Sequence, residues 1–299
     1  MSGLAEHELT GAVLARLEGC TDPRLKRLMT SLVTHLHDFT RAVELTEAEW
    51  VAAIRFLTGT GQRCDDKRQE FVLLSDTLGV SMLVDAINHR GTSGATASTV
   101  LGPFYVGGAP ELASGVNIAA GLAGEPTFVS GRVTTSDGVA LAGAVLDVWQ
   151  TNGEGLYDVQ VPGDAMFLRG RFRTTSDGRY AFWTIKPVSY PIPADGPVGR
   201  MLTATGRHPY RPAHIHFIVS AAGCLPVTTH LFVAGDPYLG SDAVFGVKDA
   251  LIVPFEERPA GVAPDGNRSE RPYLVASFDF CLDKPEASVT QATDGRHDD

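Results

Sequence analysis

The sequence has no run approaching the roughly 18 consecutive apolar residues of a membrane-spanning helix, so no membrane span is expected. Cysteine is scarce: Cys20, Cys64, Cys224 and Cys281 lie far apart with no Cys-x-x-Cys pair. That spacing predicts reduced thiols. Positive charge is also short, with 25 Lys and Arg against 35 Asp and Glu, a formal net charge of −10. A surface of that sign argues against nucleic-acid binding, which needs positive groups to neutralise phosphates. The opening Met1-Ser2-Gly3-Leu4-Ala5-Glu6-His7-Glu8 is polar and acidic, unlike a signal or transit peptide. These absences together fit a cytoplasmic enzyme. What is present is a 43% hydrophobic content over 299 residues, enough for one large core or two modest ones.

The first hundred residues carry a helical pattern. Asp22-Pro23 is an N-cap followed by a first-turn proline, and Leu25, Leu28, Met29, Leu32 and Leu36 then recur on one stripe. Thr46-Glu47-Ala48-Glu49 is a capping box that opens a second helix carrying Trp50, Ile54 and Leu57. Asp66 to His89 predicts one or two further helices, interrupted near Gly79. The segment Gly91-Thr92-Ser93-Gly94-Ala95 breaks the pattern and sets a boundary near residue 100.

From Thr127 the period changes to two. Strands are predicted over 128–134, 144–150, 180–185, 214–219 and 227–233, separated by Gly, Pro and Asp-Gly turns. Two similar words, Thr134-Thr135-Ser136-Asp137-Gly138 and Thr174-Thr175-Ser176-Asp177-Gly178, are expected to be hairpin turns. The fold class expected is α+β, mainly β: a helical N-terminal domain (1–100) packed on a C-terminal antiparallel β-sandwich (101–283) that carries the chemistry. The polar end, 284–299, is expected to be a loose tail.

The densest chemical signal is Arg211-Pro212-Ala213-His214-Ile215-His216-Phe217. On a strand, residues i and i+2 share a face about 6–7 Å apart, so His214 and His216 can grip one metal ion. Alone, such a pair serves equally well as two hydrogen-bonded imidazoles. The apolar residues around it favour burial, and burying two imidazoles without partners is costly, which favours a shared metal. Asp236 or Asp242 could complete a zinc or ferrous site. A ferric ion would instead prefer phenolate oxygen, available from Tyr157 in Gly155-Leu156-Tyr157 or Tyr190 in Ser189-Tyr190-Pro191. Lone loop tyrosines, however, usually pack the ring and leave the hydroxyl in water.

Six words lie between Leu101 and His216, within a stretch of resemblance over residues 65–255: Leu101-Gly102-Pro103-Phe104-Tyr105, Asp147-Val148-Trp149-Gln150, Gly155-Leu156-Tyr157, Gly170-Arg171-Phe172-Arg173-Thr174, Tyr190-Pro191-Ile192-Pro193 and Arg211-Pro212-Ala213-His214-Ile215-His216. In these the chain resembles the intradiol ring-cleavage dioxygenases. Gly196 to Leu202, Asp242 to Lys248 and Thr229-His230 resemble the branch that cleaves hydroxyquinol (benzene-1,2,4-triol). The resemblance implies one mononuclear non-haem Fe(III) per subunit, held by Tyr157, Tyr190, His214 and His216. It further implies insertion of both atoms of O2 between adjacent ring hydroxyls. Arg211, Tyr190 and His230 would be the catalytic groups; His230 stands where many catechol-cleaving relatives carry glutamine. Substrate contacts would come from Leu73, Asp76, Val100, Leu101, Gly102, Pro103, Phe104, Ile192, Pro193, Arg211 and Val244. It also implies a homodimer through the N-terminal helices, in some members with a bound phospholipid.

Each of these residues also has a plainer reading. Arg211 could be a strand-edge salt bridge, Asp76 a helix-surface carboxylate, and Leu73, Leu101 and Phe104 ordinary core. At the level of function, three classes stand: the intradiol dioxygenase, preferring hydroxyquinol to catechol or chlorocatechol; a zinc hydrolase built on the histidine pair; and a β-sandwich binding module without catalysis.

Overall fold

A computed structural model describes residues 5–65, 68–90, 94–119, 121–163 and 166–285. The expected tail lies outside the described residues from position 286 on, and the expected boundary segment does so at 91–93. The chain forms two compact units, residues 1–59 and 60–299.

The first unit is helical: α1 (Glu6–Ala15), α2 (Pro23–Ala42) and α3 (Glu47–Gln62), whose last turn enters the second unit. Local chemistry fixes the starts of α2 and α3. The Asp22 carboxylate accepts hydrogen bonds from Arg24 N (2.8 Å) and Leu25 N (3.1 Å) ahead of Pro23. Thr46 and Glu49 exchange the two bonds of a capping box, Thr46 N to Glu49 Oε2 (2.9 Å) and Glu49 N to Thr46 Oγ1 (3.3 Å). Helix α1 has no counterpart in the sequence reading, because its apolar residues form no stripe. The stripe on α2 is left uncovered: Leu25, Leu28, Leu32 and Leu36 are 48%, 50%, 51% and 53% exposed.

The second unit opens with α4 (Glu70–Thr77) and α5 (Val80–Asn88), separated by Gly79 at φ +74, a conformation that costs glycine little. Strands then follow. They are β1 (Glu111–Leu112), β2 (Pro126–Thr135), β3 (Val145–Trp149), β4 (Arg169–Arg173), β5 (Arg179–Ile185), β6 (Tyr190–Pro191), β7 (Tyr210–Arg211), β8 (His214–Ser220) and β9 (Val227–Val233). Helix α6 (Pro197–Ala204) lies between β6 and β7. The later strands are β10 (Ile252–Val253), β11 (Glu256–Arg258), β12 (Gly261–Val262), β13 (Arg268–Ser269), β14 (Tyr273–Ser277) and β15 (Phe280–Leu282).

One sheet has the order β1-β4-β3-β8-β9-β10; the other runs β11-β14-β2-β15, with β5 also on β2. The two bury one core between them. Leu146 and Val148 of β3 with Ile215, Phe217 and Val219 of β8 meet Val129 and Val133 of β2, Phe182 of β5 and Phe280 of β15. This is the expected sandwich, and the five predicted strands fall on β2, β3, β5, β8 and β9.

Two details differ from the sequence reading. The sheets are mixed rather than purely antiparallel, since β14 and β15 pair in parallel with β2, β1 with β4, and β10 with β9. Alternation of side chains is the same in both ladder types, so the sequence carries no trace of it. The two Asp-Gly words are tight turns, Gly138 N to Thr135 O (2.9 Å) and Gly178 N to Thr175 O (3.0 Å); the first closes a short antiparallel bridge of Thr134 with Ala140, and neither joins two strands of the same sheet. Each carries the chain from one sheet to the other, β2 to β3 and β4 to β5.

Candidate metal centre

Strand β8 positions the two histidines. Its odd residues, Ile215, Phe217 and Val219, enter the sandwich core, so His214 and His216 must face the other way. His216 lies in register between Trp149 of β3 and His230 of β9. The Trp149 ring stacks on it at 4.6 Å between centroids. Nδ1 of His214 lies 2.6 Å from the Pro212 carbonyl, so that ring donates backwards and turns an Nε2 lone pair into the site.

The phenols arrive from two loops. Asn152 holds the first by accepting bonds from Glu154 N (2.9 Å) and Leu156 N (3.0 Å). Gly155 sits at φ +80 with the Tyr190 Cβ in the space its own Cβ would fill, 2.8 Å away, so only glycine lets the two tyrosine loops touch. Asp158 forms a buried pair with Arg169, which also donates to the Phe104 carbonyl at 2.7 Å, and the Phe104 ring stacks on Tyr157 at 4.6 Å. Tyr190 is set by the β6–β7 ladder, in register with Arg211. Both tyrosines are buried, contrary to the expectation for lone loop tyrosines.

Their polar atoms converge. Tyr157 Oη lies 2.8 Å from His216 Nε2 and 3.0 Å from Tyr190 Oη, and His214 Nε2 lies 3.1 Å from His216 Nε2. Ligands about 2.0–2.2 Å from one ion and a right to tetrahedral angle apart are separated by about 2.8–3.5 Å, so the four atoms have the spacing of a first coordination sphere. His230 adds a third imidazole, with ligand atoms of His214, His216 and His230 all within 4.8 Å of one another. Nδ1 of His216 and Nε2 of His230 are buried without a hydrogen-bond partner among the described residues. The donor set, two phenols and two imidazoles at this spacing, fits a bound metal ion.

Electrostatics agree. Burial, then the neighbouring Tyr190, pushes the Tyr157 phenol well above its ordinary value, and burial raises Tyr190 against the pull of Arg211. Burial, reinforced by nearby positive groups, holds His214, His216 and His230 well below theirs. Without a cation all five rings are neutral. A cation would reverse the phenol shifts, since it favours the anion.

Around this centre the expected residues divide. Arg211 is buried and does form the anticipated salt bridge, Nε to Asp242 Oδ1 at 3.2 Å; the same guanidinium lies 3.2 Å from His214 Nε2 and 3.4 Å from His230 Nδ1. Burial opposes its charge, but Asp242 and Tyr190 outweigh that and tighten its proton. Asp76 is buried, not on a helix surface; burial raises its carboxyl, while Ser81 and Arg211 pull it back. Gly102 faces the His216 ring, with His216 Cε1 3.3 Å from where its Cβ would stand. Leu73, Pro103, Phe104, Ile192 and Pro193 line a cavity of about 490 Å³ with Val159, Gln160 and Pro191. Val100 and Val244 are buried and Leu101 is half exposed; none of the three borders that cavity.

Three residues that organise the site carried no separate signal in the sequence. Trp149 is legible only through register, as the strand neighbour of His216. The Asp158–Arg169 pair is fixed by folding, since its members come from a loop and a strand. Asp236 and Asp242 are not turned on the imidazoles: Asp242 serves Arg211, and Asp236 accepts from Ser189 Oγ and Ala213 N.

Residues 100–290 match the family model described as Dioxygenase, and residues 22–96 the model described as Catechol dioxygenase N terminus. The chain is 55% identical over 253 residues to a hydroxyquinol 1,2-dioxygenase of Rhizobium sp., covering 84% of this chain and 86% of that one. It is 56% identical over 248 residues to a 6-chlorohydroxyquinol 1,2-dioxygenase of Cupriavidus pinatubonensis, covering 83% and 90%. The crystal structure of hydroxyquinol 1,2-dioxygenase from Pseudomonas putida matches with a TM-score of 0.89 at 51% identity, covering 94% of this chain and 99% of that one. The chain belongs to the intradiol ring-cleavage dioxygenases.

The lowered imidazoles make stability pH-dependent. Below about 6.5 the unfolded chain takes up protons that the buried rings refuse. Their contribution is thus fully present above the unfolded value and is lost as pH falls toward the depressed folded values. The metal-free protein is expected to show a urea midpoint that drops between about pH 7 and about pH 5, less steeply in His230→Gln. A slope unaltered in that variant would assign the titration to other groups.

Proposed function

We propose that the chain cleaves hydroxyquinol with O2 between adjacent hydroxyls, giving 3-hydroxy-cis,cis-muconate and, by tautomerisation, maleylacetate. This is a step of bacterial aromatic catabolism, and the reduced state of the four cysteines suits a cytoplasmic setting. The observation that carries the reading is the meeting of two phenols and two imidazoles at 2.8–3.1 Å in the sphere of one ion. Tyr157, Tyr190, His214 and His216 would hold one Fe(III) per subunit, a hard cation suited to phenolate oxygen, which when bound holds a diol as a chelated dianion and makes its ring reactive toward O2.

The chain's own residues supply the rest. Chelation of a diol requires two proton acceptors, and Tyr190 Oη, 3.0 Å from Tyr157 Oη, would be one of them. Arg211 supplies fixed positive charge where negative charge develops on the ring, in a site from which water is largely excluded. His230, 3.4 Å from Arg211 Nη2, acts with that guanidinium. Phe104, Ile192, Pro193 and Leu73 form apolar walls for a flat aromatic substrate in a cavity that Arg68, Glu70 and Asp195 also line, and Gly102, outside that cavity, leaves the His216 ring uncrowded. Asp76 is the acceptor for the third hydroxyl, since a site that hydrogen-bonds a hydroxyl rejects analogues lacking one. Catechol and chlorocatechols are the alternative substrates.

The three histidines also favour a second reading, a three-imidazole zinc site activating water for hydrolysis. Colour separates the two. The iron-loaded protein is expected to absorb visible light through phenolate-to-iron charge transfer and to consume O2 faster with hydroxyquinol than with catechol or 4-chlorocatechol. Tyr157→Phe and Tyr190→Phe are expected to lose or shift that band. A colourless, zinc-containing protein that consumes no O2 would overturn the assignment.

Asp76→Ala is expected to narrow the preference for hydroxyquinol over catechol by roughly ten-fold, about the worth of one hydrogen bond to a charged group. An unchanged ratio of kcat/KM values would remove Asp76 from substrate selection.

The open stripe of α2, Leu25, Leu28 and Leu32, supports a homodimer built through the N-terminal helices, to which a bound phospholipid would add. Light scattering at micromolar protein is expected to give twice the chain mass of 31.9 kDa. A mass of one chain would exclude this dimer.

A further inference from the structure

Asp236 follows β9 and takes no part in the reaction described above, yet its carboxylate lies between the two segments that bring donors to the metal centre. Its Oδ1 accepts a bond from Tyr238 N at 2.9 Å, the ordinary local turn of an aspartate. Its Oδ2 does something different. It accepts Ser189 Oγ and Ala213 N, each at 2.9 Å, from residues 47 and 23 positions away. Ser189 immediately precedes Tyr190, and Ala213 immediately precedes His214. One oxygen atom therefore ties the backbone that carries a phenol to the backbone that carries an imidazole. Among the described residues, the backbone bonds that otherwise join these two segments are those of the β6–β7 ladder, which has two residues on each strand, and the bond from Ile192 N to Pro209 O.

We propose that Asp236, acting through Ser189, is a positioning residue that sets the separation of Tyr190 from His214 and so the grip of the site on its ion. The inference rests on the ligand set proposed above. It differs from the sequence expectation that Asp236 might itself ligate a metal: the carboxylate acts one layer out, where partners of ligating groups tune affinity. A plain loop anchor would require only the bonds to Tyr238 and Ala213.

Ser189→Ala separates the two roles, because it removes only the bond toward Tyr190 and leaves Asp236 on Ala213 N and Tyr238 N. The full-length iron-loaded protein is expected to lose Fe(III) to a chelator about ten-fold faster, as loss of an outer partner does elsewhere. Its visible band should shift, while the urea midpoint of the metal-free protein stays near that of the parent. Ser189→Thr, which keeps the hydroxyl, is expected to restore both the rate and the band. Iron loss and band both unaltered in Ser189→Ala would overturn the proposal. So would faster iron loss accompanied by a matching fall in metal-free stability, the behaviour of a loop anchor alone. A parent protein that binds no iron or shows no band would instead sink the ligand set, and this inference with it.

Discussion

The period of strand β8 constrains everything around it. Side chains on a strand alternate between faces, so driving Ile215, Phe217 and Val219 into the sandwich forces His214 and His216 out on the opposite side. A one-residue slip would put both imidazoles among phenylalanines and three apolar residues into a polar cavity. The hydrophobic core thus acts as the register pin of the candidate metal centre. The seven residues of β8 therefore serve both the core and the candidate site.

The phenols are held on different terms. They come from loops, whose backbone has no ladder long enough to fix them, and the structure compensates with close packing and buried charge. Gly155 yields its side-chain space to Tyr190. Arg169 clamps Asp158, next to Tyr157, and the carbonyl of Phe104, whose ring covers Tyr157. Arg211 is in turn oriented by Asp242, whose carboxylate also accepts Gly246 N at 2.9 Å. Breaking such a buried pair by removing one partner leaves an uncompensated charge and costs about 3–5 kcal/mol.

How much of this was legible in the sequence depends on whether the information is local. The caps at Asp22 and Thr46, the break at Gly79 and the five long strands were readable, because each depends on near neighbours or on a simple period. The histidine pair was readable for the same reason. The tyrosines were not readable from local pattern: nothing within a few residues of Tyr157 says that it meets Tyr190, and only resemblance of whole words joined them. The strand directions, the sheet-to-sheet turns after Asp137 and Asp177, and the work of Asp236 all depend on chain separated by tens of residues. The sequence left Asp76 open between a substrate acceptor and a solvated helix carboxylate, because burial of a helix face is decided by what packs on it.

Strand β2 takes its parallel partners from residues 273–282, nearly the far end of the chain. Phe280 of that terminal stretch rests on Phe217, with ring centroids 5.0 Å apart, directly behind the strand that bears the imidazoles. Contacts of such long sequence separation form slowly and late. A polypeptide still emerging from the ribosome would have made every one of the four donor side chains before it possessed the wall that backs them. The face that carries the candidate donors is therefore backed only once the chain has been made through residue 282.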